Sequence, residues 1–143
     1  PLCRCRETAR LLYPALVPVI LQALIELNFG SFEGKTYDQL KDNPAYRRWI
    51  DTAGMTPPPG GESGQEFAER LKGAMRQIAQ DAVHSGVRQA AVVTHGGCLM
   101  SLLSSLGQGL DEQDFYRFQA ANGGGFTAQM DTDTLVLTHI RAL

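Results

Sequence analysis

The sequence has few cysteines, and no two of them have the spacing of a metal site. Cys3, Cys5 and Cys98 are the three thiols of a chain of 143 residues. An odd number of cysteines without a C-x-x-C pair indicates neither a disulfide framework nor a zinc centre. We therefore expect a reduced, cytoplasmic setting and no metal.

Long apolar runs and an excess of one charge are also missing. A membrane span needs about 18 apolar residues, and the most apolar stretch, residues 11–27, is interrupted by two prolines, Gln22 and Glu26. The formal net charge of −2 provides no basic surface for nucleic acid. The sequence thus predicts neither a membrane segment nor a nucleic-acid partner. Its length predicts one domain over residues 1–143.

Both helical and extended patterns occur along the chain. The periodicity predicts helices over residues 4–12, 37–41, 45–52, 63–82, 98–106 and 111–116. We also predict an edge strand at residues 17–21, because it contains Pro18, and a strand at residues 89–94. Residues 126–130 and 135–140 predict a closing hairpin.

The sequence places its chemistry after the strand at residues 89–94. His95 follows that strand, and Gly96-Gly97 open the next helix. The carboxyl edge of an α/β sheet binds ligands, and a helix N-terminus there favours an anion. The two glycines would let backbone approach that ligand closely. Taken alone, His95 is more typical of a half-buried structural residue.

Three further charged residues suit a phosphate group: Arg4, Glu26 and Glu62. A guanidinium binds phosphate oxygens in bidentate fashion, and a carboxylic acid can protonate a leaving oxygen. Taken singly, Arg4 and Glu26 are each more typical of a solvated surface. The sequence pattern alone does not bring them together.

Four segments in the same order resemble the histidine phosphatase superfamily, the phosphoglycerate-mutase-like enzymes. Residues 1–9 resemble its "PLxRAxxTA" helix start, residues 24–34 its "LxExxFGxWEG" loop, residues 60–63 its "GGES" turn and residues 93–97 its "VSHGG" strand end. The resemblance implies a three-layer αβα sandwich with a mostly parallel sheet. It also implies a phosphohistidine mechanism without metal or cofactor.

The resemblance also implies roles for individual residues. Arg4, His95 and Gly96 would bind the transferring phosphoryl group. Glu26 would be the general acid that protonates the leaving group, so that Glu26 and His95 are the catalytic candidates. Glu62 would help to hold these residues in position without binding the phosphoryl group itself.

One part of the family pattern is not in this sequence. The family's nucleophilic histidine lies in an N-terminal "RHGE" strand that would precede Pro1, and neither His84 nor His139 stands in a comparable motif. We expect the central N-terminal strand to be missing, the domain to be incomplete, and these 143 residues to be inactive alone. Either upstream residues supply the strand, or another segment or subunit covers the gap.

The resemblance predicts a phosphomonoester hydrolase that acts on small phosphorylated metabolites. The short connection between Glu26 and Gly61 favours a phosphatase over a phosphoglycerate mutase, which would carry a long insertion there. α-Ribazole-phosphate phosphatases and broad-specificity phosphomonoesterases are both open as substrate classes, and a homo-oligomer is compatible with either. The alternative is a non-catalytic pseudo-phosphatase that only binds phosphorylated ligands.

Overall fold

The computed structural model describes the backbone of all 143 residues and every side chain except that of Glu112. The chain forms two compact units, one of residues 1–26 with 70–143 and one of residues 27–69. The prediction of a single domain stays a prediction.

The helices are α1 (Cys3–Leu12), α2 (Tyr37–Leu40), α3 (Pro44–Asp51), α4 (Gly64–Ser85) and α5 (Gly96–Leu106). Short 3-10 helices span Gln22–Leu24, Gly30–Phe32 and Glu112–Phe118, and the strands are β1 (Phe126–Met130) and β2 (Leu137–Ala142).

The longest helix, α4, begins as its sequence predicts. The backbone N–H of Ser63 donates to Glu66 Oε2 at 2.8 Å, and the N–H of Glu66 donates to Ser63 Oγ at 3.2 Å. This reciprocal pair satisfies two donors that a helix start leaves without partners. One side of α4 is buried, and Leu71 and Ala79 are its most buried residues. The helix therefore forms from a local cap and an apolar face.

The closing hairpin pairs β1 with β2 in antiparallel register, with Met130 opposite Leu137. The predicted start of the second strand at residue 135 is wrong by two residues. Asp131 Oδ1 accepts from the backbone N–H groups of Asp133 and Thr134, and Leu135 has a φ of 64°. These bonds extend the turn, so that β2 begins only at residue 137.

One buried cluster lies between α5, the last 3-10 helix and the hairpin of the larger unit. Leu103 of α5, Phe118 and Leu137 form its centre. Phe126 packs against them, with its ring centroid 5.6 Å from that of Phe118. Helix, 3-10 helix and hairpin thus share one core.

The two other predicted segments have no regular secondary structure and pair with nothing in the described part of the chain. There, β1 and β2 form the only sheet, and none of residues 17–20 and 88–94 takes part in a backbone–backbone hydrogen bond. The prediction of an edge strand at residues 17–21 and of a strand at residues 89–94 is therefore wrong for this chain. A strand requires a neighbour to satisfy its N–H and C=O groups, and an apolar extended pattern does not supply one.

The smaller unit, residues 27–69, is built around aromatic rings. Tyr46 and Trp49 of α3 stack with centroids 5.8 Å apart, and Phe32 meets Tyr46 edge to face at 5.3 Å. Gly30 has a φ of 51°, and a Cβ there would lie 2.5 Å from the backbone nitrogen of Gly61. Only glycine fits that turn.

Candidate active site

His95 stands where residues 89–94 meet α5. It is the N-cap residue of that helix and is 6% exposed. Arg4 Nη2 lies 2.9 Å from His95 Nδ1. A guanidinium has only donors, so Nδ1 is the acceptor and the neutral ring carries its proton on Nε2. Nε2–H is therefore the donor that His95 can offer to a ligand.

The surroundings of His95 favour its neutral form. Burial lowers the pKa of His95 from its ordinary value of 6.5, and the positive charge of Arg4 lowers it further. The Glu26 carboxylate opposes both effects and is the weaker influence. The imidazole is therefore uncharged near neutral pH.

Cys5 packs against the imidazole of His95. Its Sγ lies 3.6 Å from Nδ1 and 3.5 Å from Nε2. Nearly equal distances to both nitrogens place the sulfur over the ring rather than in line with one lone pair. The thiol also donates to the carbonyl oxygen of Thr94 at 3.4 Å. The first turn of α1 thus supplies a hydrogen bond from Arg4 and a packing contact from Cys5.

Glu26 contacts the start of α5 through its carboxylate. The backbone N–H of Gly97 donates to Glu26 Oε2 at 3.1 Å. A Cβ on Gly97 would lie 3.1 Å from Glu26 Cδ and would collide with Oε1. Gly97 therefore admits the carboxylate, whereas a Cβ on Gly96 would meet nothing within 4 Å.

Hydrogen bonds fix the backbone that leads to Glu26. The hydroxyl of Thr94 donates to the Leu24 carbonyl at 2.9 Å, and Arg70 Nη1 donates to the carbonyls of Ala23 and Ile25 at 2.7 and 3.0 Å. These bonds join the loop before Glu26 to the residues around His95. The two candidate catalytic residues are therefore held in one local framework.

The match to a known family covers this whole framework. Residues 1–142 match the histidine phosphatase superfamily (branch 1). The chain belongs to this superfamily. The resemblance of the four sequence motifs is thereby confirmed, and with it the expected α/β fold of the phosphoglycerate-mutase-like kind.

The curated relatives that this chain matches are longer than it is. A bifunctional protein of Mycobacterium tuberculosis and an uncharacterized protein of Mycobacterium bovis are each 31% identical over 114 residues, which cover 77% of this chain. The chain spans 31% of the length of each of these relatives.

Solved structures agree with the family assignment. The crystal structure of the α-ribazole phosphatase from Shigella flexneri is 26% identical, with a TM-score of 0.79 over 98% of this chain and 68% of that one. A protein from Thermus thermophilus matches over the same shares of both chains at 26% identity and a TM-score of 0.55.

The structure brings three of the predicted site residues together, namely Arg4, Glu26 and His95. Gly96 follows His95 directly, and its role as a phosphate ligand stays a prediction. Sequence reasoning missed Cys5 and Gly97. The Gly96-Gly97 pair did indicate a close backbone approach, but the group that approaches Gly97 is the Glu26 carboxylate.

Glu62 lies in the smaller unit and has a local partner there. Its carboxylate accepts from the N–H of Asn28 at 3.4 Å, and its own N–H donates to the Asn28 carbonyl at 2.9 Å. These bonds hold the loop that contains Gly30. The predicted supporting role of Glu62 in catalysis stays a prediction.

Cys98 and the two remaining histidines differ in their burial. Cys98 is fully buried, and burial raises the pKa of its thiol to about 11, so that it remains protonated. His84 and His139 are exposed. Among the residues whose side chains are described, no group of three or more His, Cys, Asp or Glu could hold a metal ion. No helix in the same set is long and apolar enough to cross a membrane.

Proposed function

We propose that the protein is a phosphomonoester hydrolase that acts on small phosphorylated metabolites through a phosphohistidine intermediate. The observation that carries the proposal is the hydrogen bond from Arg4 to His95 Nδ1 at the start of α5. It orients a neutral imidazole with Nε2–H as donor, next to a guanidinium. The carboxylate of Glu26 lies at the second residue of the same helix.

In this proposal, Arg4 and His95 bind the phosphoryl oxygens. Phosphoryl transfer depends on positioning and on stabilising charge on the equatorial oxygens. A guanidinium, a neutral imidazole donor and the N-terminus of α5 supply that stabilisation. Gly96 has open space around its Cα and lets a phosphate approach the helix.

The nucleophile in this proposal is a histidine from outside these 143 residues, upstream of Pro1. Its ring nitrogen attacks phosphorus, the bond from phosphorus to the ester oxygen breaks, and Glu26 gives its proton to the leaving alkoxide. Water then attacks the phosphohistidine and returns a proton to Glu26, and the P–N bond breaks. The proposed cycle releases an alcohol and phosphate and uses neither metal nor cofactor.

We infer α-ribazole 5′-phosphate as a candidate substrate, with broad phosphomonoester specificity as the alternative. The likeness to the α-ribazole phosphatase of Shigella flexneri supports the first. Hydrolysis assays of the full-length protein on α-ribazole 5′-phosphate and on a panel of sugar phosphates distinguish the two. A preference of kcat/KM for α-ribazole phosphate by tenfold or more, about 1.4 kcal/mol, favours the specific enzyme.

A second function, phosphate binding without catalysis, is favoured by one observation. Neither His84 nor His139, the other histidines of the sequence, has a hydrogen bond to Arg4, Glu26 or His95 among the described side chains. We therefore expect the purified 143-residue chain to bind inorganic phosphate but to hydrolyse p-nitrophenyl phosphate near the background rate. Turnover above about 1 s⁻¹ would contradict the need for an outside nucleophile.

Glu26→Gln in the full-length protein tests the role of the general acid. Loss of the proton donor is expected to lower kcat/KM for an alkyl phosphate by about 10²–10⁴-fold. The loss is expected to be small for p-nitrophenyl phosphate, because p-nitrophenolate leaves without protonation.

Glu62→Gln is the matched control for this test, since it changes a carboxylate in the smaller unit. It is expected to affect both substrates equally and weakly. Equal losses on both substrates for Glu26→Gln would instead make Glu26 a cap of α5, and Glu62 would be the next candidate for the acid.

A further inference from the structure

The segment that leads to Glu26 receives hydrogen bonds from side chains of other parts of the larger unit. Each of the three carbonyls before Glu26 accepts such a bond, and the residues are Ala23, Leu24 and Ile25. Arg70 of α4 donates to the first and the third carbonyl, and Thr94 donates to the second. Because these residues directly precede Glu26, their placement determines where the backbone of Glu26 lies.

Arg70 is the strongest of these donors. Its Nη1 lies 2.7 Å from the carbonyl oxygen of Ala23 and 3.0 Å from that of Ile25. Hydrogen bonds from a charged donor are roughly twice as strong as neutral ones. Ile25 also accepts from the thiol of Cys98 at 3.4 Å, but a thiol is a weak donor. One guanidinium nitrogen thus joins two turns of backbone before Glu26 to α4.

The place of Arg70 in the fold suits a rigid support. Its side chain is half-buried, and the next residue of α4, Leu71, is 0% exposed. The helix is therefore packed into the core at the point from which Arg70 extends. Groups that are supported from a packed helix are positioned more precisely than groups on a loop alone.

The carboxylate of Glu26 has little room to move from its observed position. Its Oε2 accepts from the N–H of Gly97 at 3.1 Å, and the Cα of Gly97 leaves only enough space for that carboxylate. A general acid must also lie within about 2.6–3.2 Å of the oxygen that it protonates. A misplacement of about 1 Å in a catalytic group can cost about 10²-fold in rate. The backbone before Glu26 therefore has to be fixed.

We propose that Arg70 is a positioning residue for the general acid, and that it keeps Glu26 at the start of α5 through the carbonyls of Ala23 and Ile25. The inference rests on the proposed function, in which Glu26 gives a proton to the leaving group. Arg70 binds no substrate in this role. It differs in this from Arg4, whose guanidinium contacts His95 directly.

Arg70→Met in the full-length protein tests the role through the leaving group. It removes the donors and keeps most of the length of the side chain. The value of kcat/KM for glycerol 3-phosphate is expected to fall by about 10–10²-fold. The loss for p-nitrophenyl phosphate is expected to stay below about threefold, because p-nitrophenolate leaves without protonation. A loss of fold stability alone would lower both values by the same factor.

Arg76→Met is the matched control, because Arg76 is an exposed arginine of the same helix. It is expected to leave both values of kcat/KM unchanged. Far-UV circular dichroism checks that each variant is folded. If Arg70→Met does not fold, Arg70→Lys takes its place, since it keeps the charge and loses the planar group. The same differences are then expected, with smaller losses.

The amide proton of Gly97 reports the position of the Glu26 carboxylate without any turnover. Gly97 is the second residue of α5, and the first N–H groups of a helix have no partner within the helix. Its protection from hydrogen exchange therefore depends on Glu26 Oε2. Arg70→Met is expected to speed the exchange of this amide by about tenfold, measured by NMR. Arg76→Met should leave the exchange rate unchanged.

The two measurements separate this proposal from the proposed function. An unchanged exchange rate of Gly97 in Arg70→Met would overturn the positioning role. Equal losses on both substrates for Arg70→Met would do the same where Glu26→Gln discriminates between them. Faster exchange in a protein that hydrolyses neither substrate would instead support the role of Arg70 and contradict the hydrolase.

Discussion

The two ends of the larger unit differ in how much of their apolar surface is buried. At one end, α5, the last 3-10 helix and the β1–β2 hairpin bury Leu103, Phe118 and Leu137. At the other end, two segments without regular secondary structure, residues 16–21 and 89–93, line an open groove, and Val17 and Val19 are exposed. His95 stands at the junction between these ends.

The difference follows from the sequence distance between partners. The hairpin strands are joined by a short turn, so each finds its neighbour locally. Parallel strands need partners from distant parts of a chain, and residues 17–21 and 89–94 have none among the described residues. We therefore expect the closed end to contribute most of the unfolding free energy of this chain. We expect contacts with other protein segments to form at the open end.

Leu103→Ala would test the closed end and has the largest expected effect. Leu103 is 6% exposed, and loss of such a side chain costs about 2–5 kcal/mol of unfolding free energy. Val19→Ala, the control at the open end, should change it by no more than about 0.5 kcal/mol. Urea titrations followed by far-UV circular dichroism measure both. Similar losses for the two variants would show that the groove is closed in solution.

Gly97→Ala tests the junction between the ends. The new Cβ would collide with the Glu26 carboxylate, and such overpacking costs about 1–3 kcal/mol. Gly96→Ala is the matched control, because its Cβ meets nothing within 4 Å, and it should be neutral or slightly stabilising. Thermal unfolding of the two variants gives the comparison. A neutral Gly97→Ala would mean that the carboxylate of Glu26 is not held at α5.

The pH dependence of stability has the smallest expected effect. The pKa of His95 is lowered by burial and by Arg4, so below about pH 6.5 the unfolded chain binds more protons than the folded one. The contribution of His95 is complete above that pH and is lost as the pH falls through its folded pKa. Urea titrations between about pH 8 and pH 5 should show this loss, and His95→Asn should reduce it. An unchanged slope in the variant would contradict the proposed burial of the neutral ring.

Much of the local structure could be predicted from the sequence. Ser63 and Glu66, which form the capping box at the start of α4, are three residues apart in the sequence, and so are Tyr46 and Trp49, which stack on one face of α3. The end of the hairpin turn could not be predicted, because it depends on which backbone groups Asp131 accepts from. The prediction of a paired strand at residues 89–94 was wrong, because an apolar sequence pattern favours an extended conformation but does not supply a neighbouring strand.

The candidate site, too, could be predicted only in part from the sequence. Four motifs identified Arg4, Glu26 and His95, and the family they indicated is confirmed. The contact of Cys5 with the imidazole and the fit of the Glu26 carboxylate against Gly97 depend on the folded chain. No spacing rule relates residues that are about 70 or 90 positions apart.

Trp49 gives the smaller unit an optical signal of its own. It is the single tryptophan of the sequence, it stacks on Tyr46 within residues 27–69, and its indole N–H is buried without a partner among the described side chains. Its fluorescence therefore reports the melting of that unit alone, whereas far-UV circular dichroism also reports α1 and α5. Two transitions at different urea concentrations would mean that the chain unfolds in two cooperative blocks, and coincident ones that it unfolds in one.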